Sequence, residues 1–427
     1  MRITQEKGEL KMNNELLKDL EWRGLINDCT DLIGLNDTLN TKTISIYCGV
    51  DPTGNSMHIG HLVPFLMLKR FQNAGHQPII VVGGATGNIG DPSGKSSERV
   101  MQSKEIIEDN VRALQSQLRN MFGGSVIFAN NYDWTHNLSI LDFLRDFGKS
   151  FNISQMIAKD IVKSRLETGI SYTEFTYQIL QAMDFNHLYE NYDCQVQIGG
   201  SDQWGNIVSG LDLIRKKQGH EAKAFGITLP LITKSDGTKF GKSEGNAIWL
   251  DPEQTTPYEM YQFFINTADA DAVNYLKKFT FLTKTEIENI EEQFLQAPHQ
   301  RLAQKILAYE IVKFIHGEDA VLQAQRITQA LFTGNIAELG VNEIGAGFKD
   351  VPSTEINNDS LLIDTLVAVG AAISKREARE FITNNSIAVN GMKINNLEYV
   401  LTKMDAIGER FTVIRRGKKN YYLVQHI

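Results

Sequence analysis

The stretch TISIYCGVDPTGNSMHIGHLVPFLMLKRFQNAGHQPIIVV, Thr43 to Val82, changes its hydrophobic period twice. TISIYCGV, Thr43 to Val50, alternates and carries enough β-branched residues for a strand. From His61 to Asn73, Leu62, Phe65, Leu66 and Phe71 recur at helical spacing ahead of Gly75. PIIVV, Pro78 to Val82, is then a short continuous apolar run of the kind found in buried parallel strands, and it ends in a Gly-rich turn. Strand, loop, helix, strand is a βαβ unit, and it points to a doubly wound α/β sheet.

The rest of the composition is compatible with that core. A chain of 427 residues, 42% apolar and 22% charged, is longer than one ordinary domain and is expected to hold two or three. Cys29, Cys48 and Cys194 form no CxxC pair, which argues against a structural zinc site or a disulfide framework and fits a reducing cytoplasm. No apolar run approaches the roughly 20 residues that span a bilayer, and the N-terminus lacks a signal-peptide core. Charge is uneven. Lys375 to Lys419 holds ten Lys/Arg against five Asp/Glu, while the remainder holds 33 against 46, so an acidic body carries a small cationic module.

In a doubly wound sheet, ligands bind beyond the carboxyl ends of the strands, where a helix N-terminus offers backbone N–H groups and a partial positive charge to an anion. DPTGNSMHIGH, Asp51 to His61, stands at that place. His58 and His61 share one face of the first turn and add donors to it, and Gly54 and Gly60 leave room for a ligand close to the backbone. Pro64 is harmless if the helix starts near His61 and bends it if the start is near Met57. A second polar, Gly-rich stretch, TKSDGTKFGKSEGN, contains KFGKS at Lys239 to Ser243, with two lysines three apart and a hydroxyl beside the second. That composition suits a loop that brings ammonium groups to a polyphosphate. GKS occurs at Gly94 to Ser96 and again at Gly241 to Ser243, but neither is a P-loop: the position five before the second glycine is Ile89 in one and Asp236 in the other.

HIGH, His58 to His61, together with KFGKS resembles the two signatures of class I aminoacyl-tRNA synthetases, the second in its tyrosyl form. YQILQAMD, Tyr177 to Asp184, and QIGGSDQWGN, Gln197 to Asn206, resemble further segments of the tyrosyl enzymes. The likeness runs through nearly the whole chain apart from the first dozen residues, and Met12 is the more natural start. The resemblance implies a Rossmann-like catalytic domain, L-tyrosine, ATP and tRNA(Tyr) as substrates, Mg²⁺ arriving with the nucleotide, no tightly bound cofactor or protein-held metal, a cytoplasmic setting and a homodimer. It also implies roles. Thr53 and His58 would hold the phosphates, His61 would lie by the ribose, and Lys239, Lys242 and Ser243 would close over pyrophosphate. Tyr47 and Asp184 would contact the phenol, and Asp91, Tyr177 and Gln181 the α-ammonium. Cys48, Gly49, Asp51, Gly60, Asp202 and Gln203 would line the ATP side with Lys242. Tyr177, Gln181 and Asp184 are spaced to share one helix face, as a common pocket requires.

The tail reads as helix, Gly, helix, strand from Leu361 to Ile394, with Ser374 and Glu377 as a capping box and Asn390-Gly391 as a hairpin turn. It resembles the small RNA-binding domain shared by a ribosomal protein and bacterial tyrosyl enzymes, with Lys375, Arg376 and Arg379 spaced to meet phosphates. The expected division is a Rossmann-like catalytic domain over 1–250, a helical domain over 251–339, a linker over 340–360 and a small α+β RNA-binding domain over 361–427. Three other readings compete. A tryptophanyl enzyme has no phenol for Tyr47 and Asp184 to recognise. An RNA-binding protein without catalysis has no need of intact HIGH and KFGKS, and a nucleotidyltransferase acting on a small acid has no need of the basic tail.

Overall fold

The computed structural model of the protein describes residues 15–93, 102–166, 169–238, 240–243, 246–417 and 420–427. The chain divides into two compact units, one running to Gln254 and resuming over Thr267–Leu307, the other made of Thr255–Asn266 and Ala308–Ile427. Lys239 and Met12 lie outside the described residues.

Six strands build the first unit: β1 (Asp28–Cys29), β2 (Ser45–Val50), β3 (Gln77–Val82), β4 (Ile127–Asn130), β5 (Cys194–Gly200) and β6 (Phe225–Leu229), in the order β1-β6-β5-β2-β3-β4. Only β1 is antiparallel to its neighbour. Ahead of β2 lie α1 (Leu16–Trp22) and α2 (Leu32–Thr41); α3 (Ile59–Asn73) links β2 to β3, and α4 (Lys104–Phe122) links β3 to β4. The short helices α5 (Tyr132–Thr135), α6 (Ile140–Asp142), α7 (Ile153–Ile157) and α8 (Asp160–Leu166) precede the long α9 (Tyr172–Tyr192), which feeds β5, and α10 (Trp204–Gln218) leads on to β6.

The sheet forms where the sequence is apolar on both faces. Ile79, Ile80, Val81 and Val82 are each at most 3% exposed, and each such side chain contributes about 1.5–3 kcal/mol on burial. Tyr47, Ile79 and Val81 share a core with Phe185 and Leu188 of α9 and Ile207, Leu211 and Ile214 of α10. Strand order reverses between β2 and β5, because the chain moves outward from β2 through β3 to β4 and then returns to the other side of β2. A crevice opens at that reversal beyond the carboxyl ends of the strands.

After the small hairpin of β7 (Lys242–Ser243) and β8 (Asn246–Ala247), α11 (Pro257–Ile265) belongs to the second unit, whereas α12 (Asp269–Phe279) and α13 (Lys284–Gln296) return to the first. The helical stretch expected as one domain over 251–339 is therefore divided, because α12 packs on α3 while α11 packs on α15 (Glu318–Thr333). Between them α14 (Leu302–His316) ends at Gly317, whose φ of +89° suits a glycine.

The linker expected over 340–360 is a correction. Residues Val341–Gly347 form α16, and Ser353–Ile356 form β9, which pairs in parallel with β15 (Asn420–His426). Ile344 and Phe348 are buried against Ile327 of α15 and against Phe411, Val413 and Leu423, so this stretch supplies core rather than slack. The remaining elements are β10 (Ser360–Leu361), α17 (Leu362–Ala368), α18 (Lys375–Thr383), β11 (Ile387–Val389), β12 (Met392–Lys393), β13 (Val400–Leu401) and β14 (Phe411–Arg416). Asn390 and Gly391 make the two-residue hairpin, with φ of +45° and +88°. At α18 half of the expected capping box forms. Ser374 accepts the Glu377 N–H at 3.3 Å, but the Glu377 carboxylate accepts from the Ile373 N–H at 2.6 Å instead of from Ser374.

Gly226 of β6 tests this packing, because a Cβ there would collide with Cγ2 of Ile207 on α10. Gly226→Ala is expected to cost about 1–3 kcal/mol, read as a lower urea midpoint with an unchanged m-value.

Candidate active site

Four strand ends supply the crevice. From β2 comes Asp51, whose Oδ1 accepts Thr86 Oγ1–H at 2.9 Å and whose Oδ2 accepts the Tyr177 hydroxyl at 3.0 Å. From β3 come Thr86 and Asp91, from β4 Asn131 and Trp134, and from β5 the turn Ser201–Gln203. The α9 helix crosses them all. Its Tyr177 reaches Asp51. Its Gln181 donates to Gln203 Oε1 at 3.2 Å, and its Asp184 accepts from Asn131 Nδ2 and Trp134 Nε1, both at 2.9 Å. The spacing of Tyr177, Gln181 and Asp184 does bring them to one face. Gln203 also donates to Asp91 at 2.7 Å and, more weakly, to Asp202 at 3.4 Å.

Buried oxygens at this place with no hydrogen-bond partner among the described residues include the hydroxyl of Tyr47 and Oε1 of Gln181. Such atoms are costly unless something arrives to pair with them. Tyr47 is 2% exposed and packs against Phe185 at a centroid distance of 5.3 Å. Burial raises its phenol well above the ordinary value, with Asp184 adding to the effect. Burial likewise raises Tyr177, next to Asp51, and pushes the Cys48 thiol up to about 12. Both phenols and the thiol therefore remain protonated at neutral pH. Gly49 is exposed at the end of β2.

The histidine turn differs from expectation in one respect. His58 is the N-cap of α3, and its Nδ1 accepts the Gly60 N–H at 3.0 Å; a neutral His58 therefore carries its proton on Nε2. Ile59 N–H goes to the Ile248 carbonyl at 2.8 Å and His61 N–H to the His58 carbonyl at 2.9 Å. The backbone donors expected to be open at this helix start are thus already engaged, and the attraction for an anion falls to the imidazoles and the helix dipole. The two rings stack at 3.7 Å, 21° apart. Thr53 is exposed in the turn before them. Pro64 is the sixth residue of α3, and the helix continues past it to Asn73, so the loss of one N–H is absorbed. The second signature adjoins the first. A Cβ on Gly241 would lie 3.3 Å from Gly60 N, and Leu250 N–H donates to the Met57 carbonyl at 2.8 Å. Lys242 and Ser243 lie on β7, whose backbone pairs with β8.

The comparisons agree with this geometry. Residues 38–333 match the family of tRNA synthetases class I (W and Y), and residues 343–424 match the tyrosine–tRNA ligase SYY-like C-terminal domain. The chain belongs to the class I tRNA synthetases of the W and Y group. It is 59% identical to a tyrosine–tRNA ligase of Listeria welshimeri, over 96% of this chain and 99% of the relative. It is 58% identical, with the same coverage, to a tyrosine–tRNA ligase 2 of Bacillus thuringiensis. Among solved structures, the C-terminally truncated mitochondrial tyrosyl-tRNA synthetase of Aspergillus nidulans superposes with a TM-score of 0.68 at 36% identity, covering 77% of this chain and 96% of that one.

This synthetase fold contains functional groups that its signatures do not announce. Asn131 donates to both Asp184 and Thr86 and accepts the Ala85 N–H at 2.8 Å, so it ties the two halves of the crevice together. Their one sequence signal is position: Thr86, Asn131 and Trp134 each follow the end of a parallel strand. Lys375, Arg376 and Arg379 are exposed along α18, and Lys375 pairs with Asp364 at 2.6 Å.

Asp184 makes a pH prediction. Burial lifts its carboxyl from 3.8 to about 7 against the lowering pull of Asn131 and Trp134, with Asp51 lifting it further. A folded-state pKa above the unfolded one means that the protonated form stabilises the fold below pH ~4 and that this contribution is lost as pH rises to ~7. At most it is on the order of 4 kcal/mol. Asp184→Asn is expected to flatten the urea-denaturation stability profile across that window.

Proposed function

We propose that this synthetase ligates L-tyrosine to tRNA(Tyr) in two steps, with the crevice at the β2–β5 reversal as the place of both. A tyrosine carboxylate oxygen attacks the α-phosphorus of ATP, the bond to pyrophosphate breaks, and tyrosyl-adenylate remains. A terminal ribose hydroxyl of tRNA then attacks the tyrosyl carbonyl and AMP leaves. A carboxylate is a nucleophile at neutral pH, so the first step needs alignment and charge stabilisation more than a general base. His58, His61 and Thr53 are assigned to the phosphates and ribose, together with Lys239, Lys242 and Ser243, and Gly60 leaves the nucleotide room. Cys48, Gly49, Asp51, Asp202 and Gln203 form the nucleotide side. Mg²⁺ is proposed to arrive as the counter-ion of ATP.

The observation that carries tyrosine over other amino acids is the unpaired hydroxyl of Tyr47 within the field of Asp184. A phenolic O–H pairs with the Tyr47 hydroxyl and offers Asp184 a further donor, whereas a phenyl ring leaves the Tyr47 hydroxyl buried without a partner. Gln181 Oε1, with Asp91 and Tyr177, is assigned to the α-ammonium. The test is ATP–pyrophosphate exchange with tyrosine, phenylalanine and tryptophan in parallel. Exchange with tyrosine alone is expected, and Tyr47→Phe should narrow the tyrosine-over-phenylalanine preference by roughly 5- to 100-fold. Exchange that favours tryptophan, or none with any of the three, would overturn the proposal.

The enzyme is further proposed to act in the cytoplasm as a homodimer; no helix among the described residues is long and apolar enough to cross a membrane. The segment from α6 to α7 supports an interface, because Ile140, Leu141 and Ile153 are 77%, 76% and 64% exposed, and apolar side chains gathered in one segment of surface call for a partner. Sedimentation equilibrium is expected to give twice the chain mass, and Leu141→Asp to shift it toward the monomer.

A further inference from the structure

We infer that α12, a helix outside both sequence signatures, is the platform that sets the KFGKS segment against the histidine turn, with Asp271 as its positioning residue; this rests on the reading that the segment serves the ATP step. The residues leading into KFGKS form a tight hairpin. Phe240 N–H donates to the Ile232 carbonyl at 3.2 Å and Lys234 N–H to the Thr238 carbonyl at 2.8 Å. The turn between them is closed by Gly237 at φ +82° and by the Asp236 carboxylate, which accepts the Thr238 N–H at 2.8 Å.

Helix α12 holds this hairpin at three points. Asp271 Oδ2 accepts both the N–H and the hydroxyl of Ser235, at 3.2 and 3.1 Å. The Tyr275 hydroxyl donates to the Thr233 carbonyl at 3.2 Å. The Phe240 ring packs edge-on against Tyr275 at 4.9 Å and tilted against Phe279 at 4.7 Å. Asp271 is 6% exposed. A carboxylate that buried persists only where donors meet it, and two of its donors belong to the hairpin. Its place in the first turn of α12 adds the favourable end of the helix dipole.

Beyond Phe240 the chain turns at Gly241, φ +92°, where a Cβ would lie 3.0 Å from Ile59 Cγ2 and 3.3 Å from Gly60 N. The hairpin is thus pressed between α12 and the start of α3. The far end of α3 closes the triangle: buried Arg70 donates through Nη2 to the Thr280 carbonyl just past α12, and Arg23 donates to the Lys277 and Leu282 carbonyls at 2.9 and 2.6 Å. One helix therefore begins with the histidines and ends by fixing the platform of the lysines, so the distance between the two signatures is set by packed secondary structure and not by the loop alone.

Asp271→Ala in the full-length chain removes the clasp, and Asp269→Ala is its control. Asp269 lies in the same first turn of α12 but accepts from Gln304 at 2.7 Å. Hydrogen–deuterium exchange of the peptide covering residues 232–241 reads the clasp without reference to activity: Asp271→Ala should exchange faster there than wild type, and Asp269→Ala should not. In pyrophosphate exchange, Asp271→Ala is expected to lower the rate of adenylate formation on the order of 10- to 100-fold, with the tyrosine Kd from equilibrium dialysis unchanged. Asp271→Asn, which keeps an acceptor, should recover much of the loss. Unaltered deuterium exchange, an equal loss in tyrosine affinity, or the same loss in Asp269→Ala would overturn the inference. A wild-type chain with no pyrophosphate exchange would overturn the proposed function while the deuterium experiment still judged the clasp.

Discussion

Asp51 takes a hydrogen bond on each of its two oxygens, from Thr86 and from Tyr177, and the rest of the crevice is arranged around those bonds. They join the ends of β2 and β3 to α9, the helix that lies across the reversal of strand order. A carboxylate accepting two hydroxyl donors forms charge-assisted bonds worth about 1.5–3 kcal/mol each. From Thr86 the chain of donors runs through Asn131 to Asp184 and Trp134. Displacing any of these groups therefore disturbs both halves of the crevice together.

That coupling accounts for the cost the site carries. Asp51 lies close enough to raise the proton affinity of Asp184, and Tyr177 is raised by both. A core built for stability alone would not bury these groups beside an unpaired Tyr47 hydroxyl. Under the proposed function, the unfavourable terms would be relieved by ligand groups of opposite character: a phenolic O–H for the Tyr47 and Asp184 pair, an ammonium for the acidic side. Selectivity and local instability therefore have the same origin.

Much of this was legible in the chain. The change of hydrophobic period between Thr43 and Val82 gives β2, α3 and β3 within two residues at each boundary, and Asn390-Gly391 gives its hairpin because that turn requires two positive φ values. What was illegible depends on distant partners. β9 alternates between exposed and half-buried positions and reads as linker, since its identity as a strand comes from β15, nearly seventy residues later. The N–H groups at the start of α3 look open until the Ile248 carbonyl, far along the chain, closes one of them. Arg70 reads as a basic residue beside Lys69 in an apolar helix, yet it is buried, and its partners are the Asp19 carboxylate and a carbonyl beyond α12.

The contrast between the two signatures follows from the same physics. His58 is held by its own helix, through a bond only two residues long, so the motif and its geometry are encoded together. KFGKS is less fully restrained by its neighbours: Lys242 and Ser243 pair with nearby β8, but its one glycine, Gly241, leaves the backbone many conformations, and ordering a segment costs roughly 1–2 kcal/mol per residue. Something outside the motif has to offset that cost. The Asp271 carboxylate, the Tyr275 hydroxyl and the Phe240 ring packing provide contacts of that size in aggregate, and all three involve α12. A short motif can therefore state which groups the chemistry uses, while the helix that makes them usable carries no motif at all.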